Sequence, residues 1–379
     1  MIDKEMNLNR DFCVFSGNRD LELLHSFGDF PVYMGCVDTP PEEDVFKPMN
    51  WYISKSSGSL QMNPLVPLDL VYLGQHNDST GSIWDAHHAA FSNFILKNDI
   101  EKIFEIGGAS GALYRKCSAA RKLQWTILDP NPEVNEADRL RTIKGFFDKT
   151  FSMEVSFDIL VHSHVFEHVY NPMEFAEALS NYIPEGKLMA FSVPNMKHLL
   201  EKCYTNALNF EHSYFLTADY VRYLLTRNGF AILSIEPFMN HSQFYLCRKV
   251  EAVESGPLPD LYEQNKKLFM NFINIHKEVI IALNEYLNKT SEPVYLFGAH
   301  IFSQFLIAFG LNTDRIVTVL DNSPVKISRR LYGTDYLVQS PAVLKDLPAA
   351  TVILRAGDYS AEIKKDIVEN INSHINWLE

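Results

Sequence analysis

The sequence predicts an α/β fold built around an open, mostly parallel sheet. From about residue 101, short apolar runs typical of buried strands alternate with amphipathic helix patterns. A glycine-rich turn joins the first of these strands to the first helix. The alternation starts again at about residue 294, after a long amphipathic helix pattern, so a second α/β lobe is expected to follow the first.

The elements of the first lobe follow from apolar runs and the residues that bound them. A helix pattern covers 82–99, and a second covers 110–121. Asn171, Pro172 and Glu174 form the start signal of another helix, and a further helix begins at Thr217. Strands are predicted at 102–107, 123–130, 141–147, 157–164 and 186–195, followed by a closing hairpin of 231–238 and 243–250.

These patterns divide the chain into four segments. The long helix pattern begins after the breaker Gly-Pro-Leu-Pro at 256–259 and separates the two α/β lobes. The predicted segments are a small mixed domain at 1–81, the first α/β core at 82–250, a linker helix at 251–290 and a Rossmann-like lobe at 291–379.

Composition and charge exclude several classes of protein. The 379 residues carry 34 Lys and Arg against 47 Asp and Glu, which argues against a protein that binds long runs of phosphate, so no nucleic-acid partner is expected. The charged N-terminus has no apolar signal region, and no apolar run is long enough to span a membrane. The five cysteines are scattered and predict no disulfide framework. We therefore expect a cytoplasmic protein without membrane contact.

The segment Glu105-Ile-Gly-Gly-Ala-Ser-Gly111 is the most informative part of the sequence. Its small residues let the backbone turn tightly and bring a ligand against a helix N-terminus. Asp129 ends the next predicted strand, where a carboxylate can accept both hydroxyls of a ribose. This spacing fits a dinucleotide fold, another nucleoside site or a purely structural turn. Glu105 favours a ligand with an ammonium group, because its charge would repel a pyrophosphate.

An amine, a ribose and an adenine without phosphates describe S-adenosylmethionine. The sequence resembles the class I S-adenosylmethionine-dependent methyltransferases, with EIGGASG as the first motif, LDP as the second and FDILVHSHVFEH as the motif after the fourth strand. The resemblance implies a Rossmann-like core, with Phe146 and Phe147 beside the adenine and His164 near the methionine moiety. It also implies that the cofactor is held by Glu105, Gly107, Gly108, Ala109, Gly111, Asp129 and Pro130.

A competing motif lies in the same region. His164-Val-Phe-Glu167-His168 fits the H-x-x-E-H pattern of inverted zinc proteases. That chemistry needs both histidines on one helix face, whereas His164 ends a predicted strand and the helix starts only near Asn171. We therefore expect no metal here, and Glu167 and His168 can equally cap the loop.

The segment Asn209-Phe-Glu211-His212-Ser-Tyr214-Phe is the best candidate for activating a methyl acceptor. It follows the predicted strand 186–195, on the side where a substrate would enter. A histidine next to a glutamate and near a tyrosine can act as a tuned base, so we assign His212 as the base and Glu211 as its support. A polar loop with a hydrogen-bonded histidine is the structural alternative.

The whole chain resembles the three-domain sugar C-methyltransferases, which act on keto-deoxysugars attached to a nucleoside diphosphate. CVFS at 13–16 and SKSSG at 54–58 stand where that family has its zinc-binding cysteine pairs, and EHSYF at 211–215 resembles its catalytic segment. FGAHIFSQF and VLDNSPVK resemble segments of its third domain. Of the four zinc ligands only Cys13 is kept, because serines stand at 16, 54 and 57, so a degenerate module without structural zinc is predicted.

The resemblance implies C-methylation of a nucleotide-linked keto-deoxysugar through an enolate formed by His212. His76 and Asn209 stand where the family has two tyrosines, and either of them or Tyr214 would steady the oxyanion of the sugar. These replacements leave open an O- or N-methyltransferase of another small metabolite or glycan precursor. A catalytically weakened homologue that binds a nucleoside or a partner protein is a further alternative. Lys326, Arg329 and Arg330 could meet a diphosphate or form a solvated face.

Overall fold

The computed structural model describes residues 8–71, 81–251 and 253–379. His76, predicted to contact the substrate, lies outside these residues.

The N-terminal module is a three-stranded antiparallel sheet in the order β1-β3-β4. Its elements are β1 (Leu21–Pro31), β2 (Cys36–Val37), β3 (Phe46–Ser54), β4 (Leu60–Met62) and the short helix α1 (Leu68–Val71).

Two similar turns lie at residues 13–17 and 54–58, the segments that the sequence resemblance compares with zinc-binding cysteine pairs. Gly17 N donates to Cys13 O (2.9 Å) and Gly58 N donates to Ser54 O (2.8 Å), and both glycines have a φ of 74°. The turns contact each other, since Cys13 Sγ lies 3.1 Å from Ser57 Oγ. Hydrogen bonds between hydroxyl and thiol groups thus join the two turns, and the expectation of a zinc-free module stays a prediction.

The central domain is built on a seven-stranded sheet in the order β10-β11-β9-β8-β5-β6-β7, in which only β11 runs antiparallel to its neighbours. The strands are β5 (Lys102–Ile106), β6 (Gln124–Asp129), β7 (Leu140–Lys144), β8 (Ile159–Ser163), β9 (Leu188–Pro194), β10 (Phe230–Phe238) and β11 (Ser242–Lys249). The helices are α2 (Ser82–Leu96), α3 (Ala112–Ala120), α4 (Pro172–Tyr182), α5 (Met196–Glu201) and α6 (Ala218–Arg227). The predicted α/β core and its closing hairpin are confirmed.

The strand order reverses between β5 and β8, which places a crevice at the carboxyl ends of these two strands. Ile159, Leu160 and Val161 of β8 are all fully buried, as expected for a parallel strand that is covered on both faces. Helix α4 starts where the sequence predicts, because the Asn171 side chain accepts a hydrogen bond from Glu174 N (3.2 Å). The structure therefore directs the glycine turn after β5 and the histidine-rich loop after β8 to the same crevice.

Helix α7 (Tyr262–Lys289) connects the central domain to the C-terminal lobe. Phe269 and Phe272 pack in the core shared by the N-terminal module and the central domain, whereas Leu283 and Leu287 pack in the core of the C-terminal lobe. One helix thus belongs to both cores. Among the helices of the described residues, none combines the length and the apolar character that a bilayer span requires.

The C-terminal lobe is a second Rossmann-like unit with a four-stranded parallel sheet in the order β13-β12-β15-β16. Its elements are β12 (Val294–Phe297), α8 (Ile301–Ala308), β13 (Ile316–Leu320), β14 (Arg330–Leu331), β15 (Ala350–Leu354), α9 (Ser360–Asn370) and β16 (Ile375–Leu378). Strand β14 lies outside this sheet and pairs with β2. The lobe is therefore joined by backbone hydrogen bonds to the N-terminal module.

Arg330 stabilises this junction. Its side chain is 7% exposed, and its two terminal nitrogens donate to the Asp44 carboxylate at 2.6 and 2.7 Å. Arg329 pairs with Asp38 at 2.9 Å on the surface. The expectation of a solvated face or a diphosphate site was wrong for Arg330, because packing of the two modules buries it against a carboxylate.

Candidate active site

The glycine turn after β5 has a shape that larger side chains would not allow. Gly107 and Gly111 have φ angles of 75° and 73°, in the left-handed region. A Cβ atom at Gly107 would lie 2.8 Å from Val165 Cγ2, and one at Gly108 would lie 2.8 Å from Ile127 Cγ2. The turn therefore forms an open cradle at the start of α3, as a bound nucleoside requires.

Asp129 ties this cradle to the end of β6. Its Oδ2 accepts a hydrogen bond from Ala109 N (2.9 Å) and its Oδ1 accepts one from Asn131 N (2.7 Å). The side chain is largely buried, and Pro130 follows it. A carboxylate has about four acceptor positions, so these bonds leave capacity for ribose hydroxyls. The ribose contact stays a prediction.

Glu105 lies beneath the cradle and is 3% exposed. Its Oε2 accepts a hydrogen bond from Trp125 Nε1 (2.7 Å), a partner that sequence reasoning did not identify. Burial raises the pKa of Glu105 to about 7, and the charge of Asp129 adds to this effect. Glu105 is therefore a weakly acidic group that a nearby cation would ionise.

The two phenylalanines predicted beside the adenine lie in different environments. The strand β7 ends at Lys144, before both of them. Phe146 is 66% exposed, whereas Phe147 is buried and packs against Phe151, Phe175 and Tyr182 at ring distances of 5.4, 5.9 and 5.4 Å. Phe146 is exposed enough to stack on a base, whereas Phe147 packs in the core, and the contact of either ring with an adenine stays a prediction.

The loop after β8 begins at His164, which has a left-handed φ of 54°. This conformation is uncommon outside glycine and marks strain that the surrounding structure supports. The ring nitrogens lie close to two polar groups: Nδ1 is 2.9 Å from Glu167 Oε1, without the direction of a hydrogen bond, and Nε2 is hydrogen-bonded to Ser242 Oγ (3.0 Å). Burial holds the pKa of His164 well below its usual range, so the imidazole is neutral.

The predicted base His212 lies beside His168, which the sequence suggested as a loop cap or as part of the zinc-protease pattern. The two rings are 4.8 Å apart, and His212 Nδ1 is 3.3 Å from Ala207 O. The Glu211 carboxylate faces His168, with Oε2 3.6 Å from His168 Nδ1. Burial lowers the pKa of His168 to about 4, so it is neutral near pH 7. The structure thus joins two loops that are far apart in sequence.

Asn209 and Tyr214 have structural partners. Asn209 Oδ1 accepts hydrogen bonds from Glu211 N (2.8 Å) and His212 N (2.9 Å), which shapes the turn that presents His212. Tyr214 is fully buried, and its hydroxyl donates to Phe166 O. Their predicted contact with a substrate is not needed to explain either position and stays a prediction.

Residues 82–235, which include the cradle and both loops, match the family model described as a methyltransferase domain. The chain contains a methyltransferase domain. Methyl transfer by this chain, with S-adenosylmethionine as the methyl donor, is a proposal that this domain supports. The match covers neither the N-terminal module nor the C-terminal lobe, so the resemblance to sugar C-methyltransferases stays a prediction. No curated protein matches the sequence.

Solved structures similar to this chain include an O-methyltransferase family protein from Burkholderia thailandensis, at 10% identity over 45% of this chain and 56% of that chain. Human N-acetylserotonin methyltransferase is similar at 15% identity, over 49% of this chain and 60% of its own. The N-methyltransferase NodS from Bradyrhizobium japonicum WM9 is similar at 14% identity, over 46% and 94%. The TM-score is 0.37 in each case, and this chain spans less than two thirds of the first two proteins.

Arg10 is a residue next to the candidate site that no sequence motif marks. It is 3% exposed and donates to Met62 O (3.0 Å), Tyr170 O (3.0 Å) and Ser213 O (2.6 Å). Burial lowers its pKa to about 10, still above neutrality, so the buried guanidinium is charged and held by carbonyl oxygens. Because Ser213 follows His212, Arg10 fixes the N-terminal module to the backbone of the candidate site.

A second group of histidines lies on the other side of His164. His87 Nε2 is 3.0 Å from Ser192 Oγ, and His241 Nδ1 is 2.6 Å from Ser242 Oγ. One ring nitrogen from each of His87, His164 and His241 lies within 4.8 Å of the others. Because His87 lies in the core, it comes close to His164 and His241, two histidines that are far from it in sequence.

Proposed function

We propose that this protein is an S-adenosylmethionine-dependent methyltransferase that transfers the methyl group to a carbon of a nucleotide-linked keto-deoxysugar, with His212 as the base. The observation that carries the proposal is the orientation of His212. A carbonyl oxygen can only accept a hydrogen bond, so His212 Nδ1, which lies 3.3 Å from Ala207 O, carries the hydrogen. In the neutral imidazole the lone pair is then on Nε2. A neutral imidazole held in one tautomer is suited to accept a proton from an acceptor.

The residues of the cradle would hold the cofactor. Asp129 would accept the ribose hydroxyls, Glu105 lies where it can attract the ammonium group, and Phe146 would cover the adenine. When bound, S-adenosylmethionine supplies the electrophilic methyl group. His212 removes the acidic proton beside the sugar carbonyl, which creates the nucleophilic carbon. Glu211 acts at a distance, by orienting His168 next to His212.

A methyltransferase for a hydroxyl or amine acceptor is the second candidate. Two observations favour it: Tyr214 is buried, and Asn209 shapes a turn. C-methylation of a keto-sugar needs groups that steady the oxyanion of an enolate, and these two predicted groups have other roles in the structure. With such an acceptor, His212 would take the proton from the nucleophile itself.

Transfer of a labelled methyl group to a panel of nucleotide-linked keto-deoxysugars, hydroxyl compounds and amines tests the proposal. We expect His212→Asn to lower turnover on the keto-sugar by about 10²–10⁴-fold while calorimetry still detects cofactor binding. His374→Asn is the control, since His374 is exposed in the C-terminal lobe. Transfer only to hydroxyl or amine acceptors would favour the second candidate. Unchanged turnover of the His212→Asn variant would exclude His212 as the base.

A further inference from the structure

We propose that Glu167, His168 and His212 form a binding site for one divalent transition-metal cation of the zinc class. One possible ligand atom from each of these side chains lies within 4.8 Å of the others. Ligands at about 2.1 Å from a tetrahedral ion are separated by about 3.4 Å, so small rotations of the side chains bring the three atoms into range.

The groups behind the two histidines hold them as metal ligands are usually held. His212 Nδ1 is directed at Ala207 O (3.3 Å), and His168 Nδ1 faces Glu211 Oε2 (3.6 Å). A carbonyl or carboxylate on one ring nitrogen fixes the tautomer and directs the lone pair of the other nitrogen to the metal. Both imidazoles therefore have an oriented outer partner.

Glu167 supplies an independent observation. It is fully buried, and neither carboxylate oxygen has a hydrogen-bond partner among the described residues. Its Oε1 is 2.9 Å from His164 Nδ1, but this contact does not have the direction of a hydrogen bond. A buried carboxylate without hydrogen bonds is costly, and a cation bound between it and the two imidazoles would remove that cost.

Two imidazoles and one carboxylate are a donor set that suits zinc, iron, nickel or manganese ions and leaves coordination positions open. An open position can take the carbonyl or hydroxyl oxygen of the methyl acceptor and polarise it. The arrangement differs from the zinc-protease pattern, because His164 lies in the loop directly after β8 and contacts Glu167 instead of sharing a helix face with His168. In this respect the site departs from the expectation that the protein binds no metal.

The assigned role rests on the proposed function, since the acceptor would bind to the ion, but metal binding itself does not depend on the acceptor. A bound ion would occupy the Nε2 lone pair that the proposed function gives to the base, so the ion and the His212 base are alternatives, and loss of turnover in His212→Asn alone would not separate them. Direct measurement of metal binding separates loss of the ion from loss of the base.

The test is titration of the chelator-treated full-length protein with Co²⁺, followed by its visible absorption, and with Zn²⁺ by calorimetry. We expect one ion per chain in the wild type and binding at least about 10-fold weaker in Glu167→Gln and in His212→Asn. His241→Asn, in the neighbouring histidine group, is the matched control and should bind normally. Circular dichroism checks that each variant is folded.

No binding of Co²⁺ or Zn²⁺ by the wild type would overturn the metal site, and so would binding that is lost in His241→Asn but kept in His212→Asn. Methyl transfer to the keto-sugar that is unaffected by chelation, together with absent metal binding, would leave the proposed function standing and reject the metal. Metal binding without methyl transfer to the keto-sugar would support the metal site and reject the proposed function.

Discussion

Glu105 shows how burial changes the chemistry of a motif residue. Its pKa in the folded protein is raised to about 7 from an ordinary value of 4.5, chiefly by burial. The folded protein therefore keeps a proton that the unfolded chain releases. The resulting cost to stability is absent below about pH 4.5, grows as the pH rises and is complete above about pH 7.

We therefore expect Glu105→Gln to gain stability relative to the wild type as the pH rises from about 5 to about 8, by roughly 1–3 kcal/mol. Glutamine can still accept the hydrogen bond from Trp125 but carries no charge. Urea unfolding of both proteins without cofactor at the two pH values measures the difference. Glu101→Gln, at the exposed position before β5, is the control. A difference that does not change with pH would contradict the raised pKa.

At the scale of elements, the two Rossmann-like units use similar turns, which differ by one residue in the position of the amide that donates to the aspartate. In the central domain Gly107 N donates to Leu128 O (2.9 Å) and Ala109 N donates to Asp129 Oδ2 (2.9 Å). In the C-terminal lobe the corresponding bonds run from Gly298 N to Leu320 O (2.8 Å) and from Ala299 N to Asp321 Oδ2 (2.9 Å). The two turns differ in the residue two positions before the glycine. This residue is Glu105 in the central domain and Leu296 in the C-terminal lobe.

Because Asp129 and Asp321 make similar turns, they form a matched pair of positions. We expect Asp129→Asn to weaken S-adenosylmethionine binding by about 10–100-fold, through loss of charged hydrogen bonds to the ribose, and Asp321→Asn to leave the affinity unchanged. Calorimetry with S-adenosylmethionine measures both. An equal loss of affinity in the two variants would show that the effect comes from general loosening of the fold.

At the scale of the whole molecule, a buried ion pair joins the first and last parts of the chain. The side chains of Asp44 and Arg330 are 1% and 7% exposed, and the pair lies beside the β2–β14 contact. Removing one partner of a buried pair leaves the other charge uncompensated.

Asp44→Asn should therefore destabilise the protein by about 3–5 kcal/mol. Asp38→Asn removes the exposed partner of Arg329 and should cost less than about 1 kcal/mol. Chemical unfolding, followed by the fluorescence of the intrinsic tryptophans, compares the two variants. Similar unfolding midpoints for both would mean that the Asp44–Arg330 pair does not hold the modules together.

The sequence by itself determined the order and type of the elements in the central domain, because hydrophobic periodicity and helix capping act over a few neighbouring residues. It also determined the position of the glycine turn and of Asp129, whose spacing reflects the strand–turn–helix unit. The tertiary structure alone decided which side chains are available for chemistry. It buried Phe147 and Tyr214, turned Glu211 towards His168 and placed His168 beside His212. The physical reason is that burial and long-range contacts depend on how distant segments pack, which local pattern does not specify.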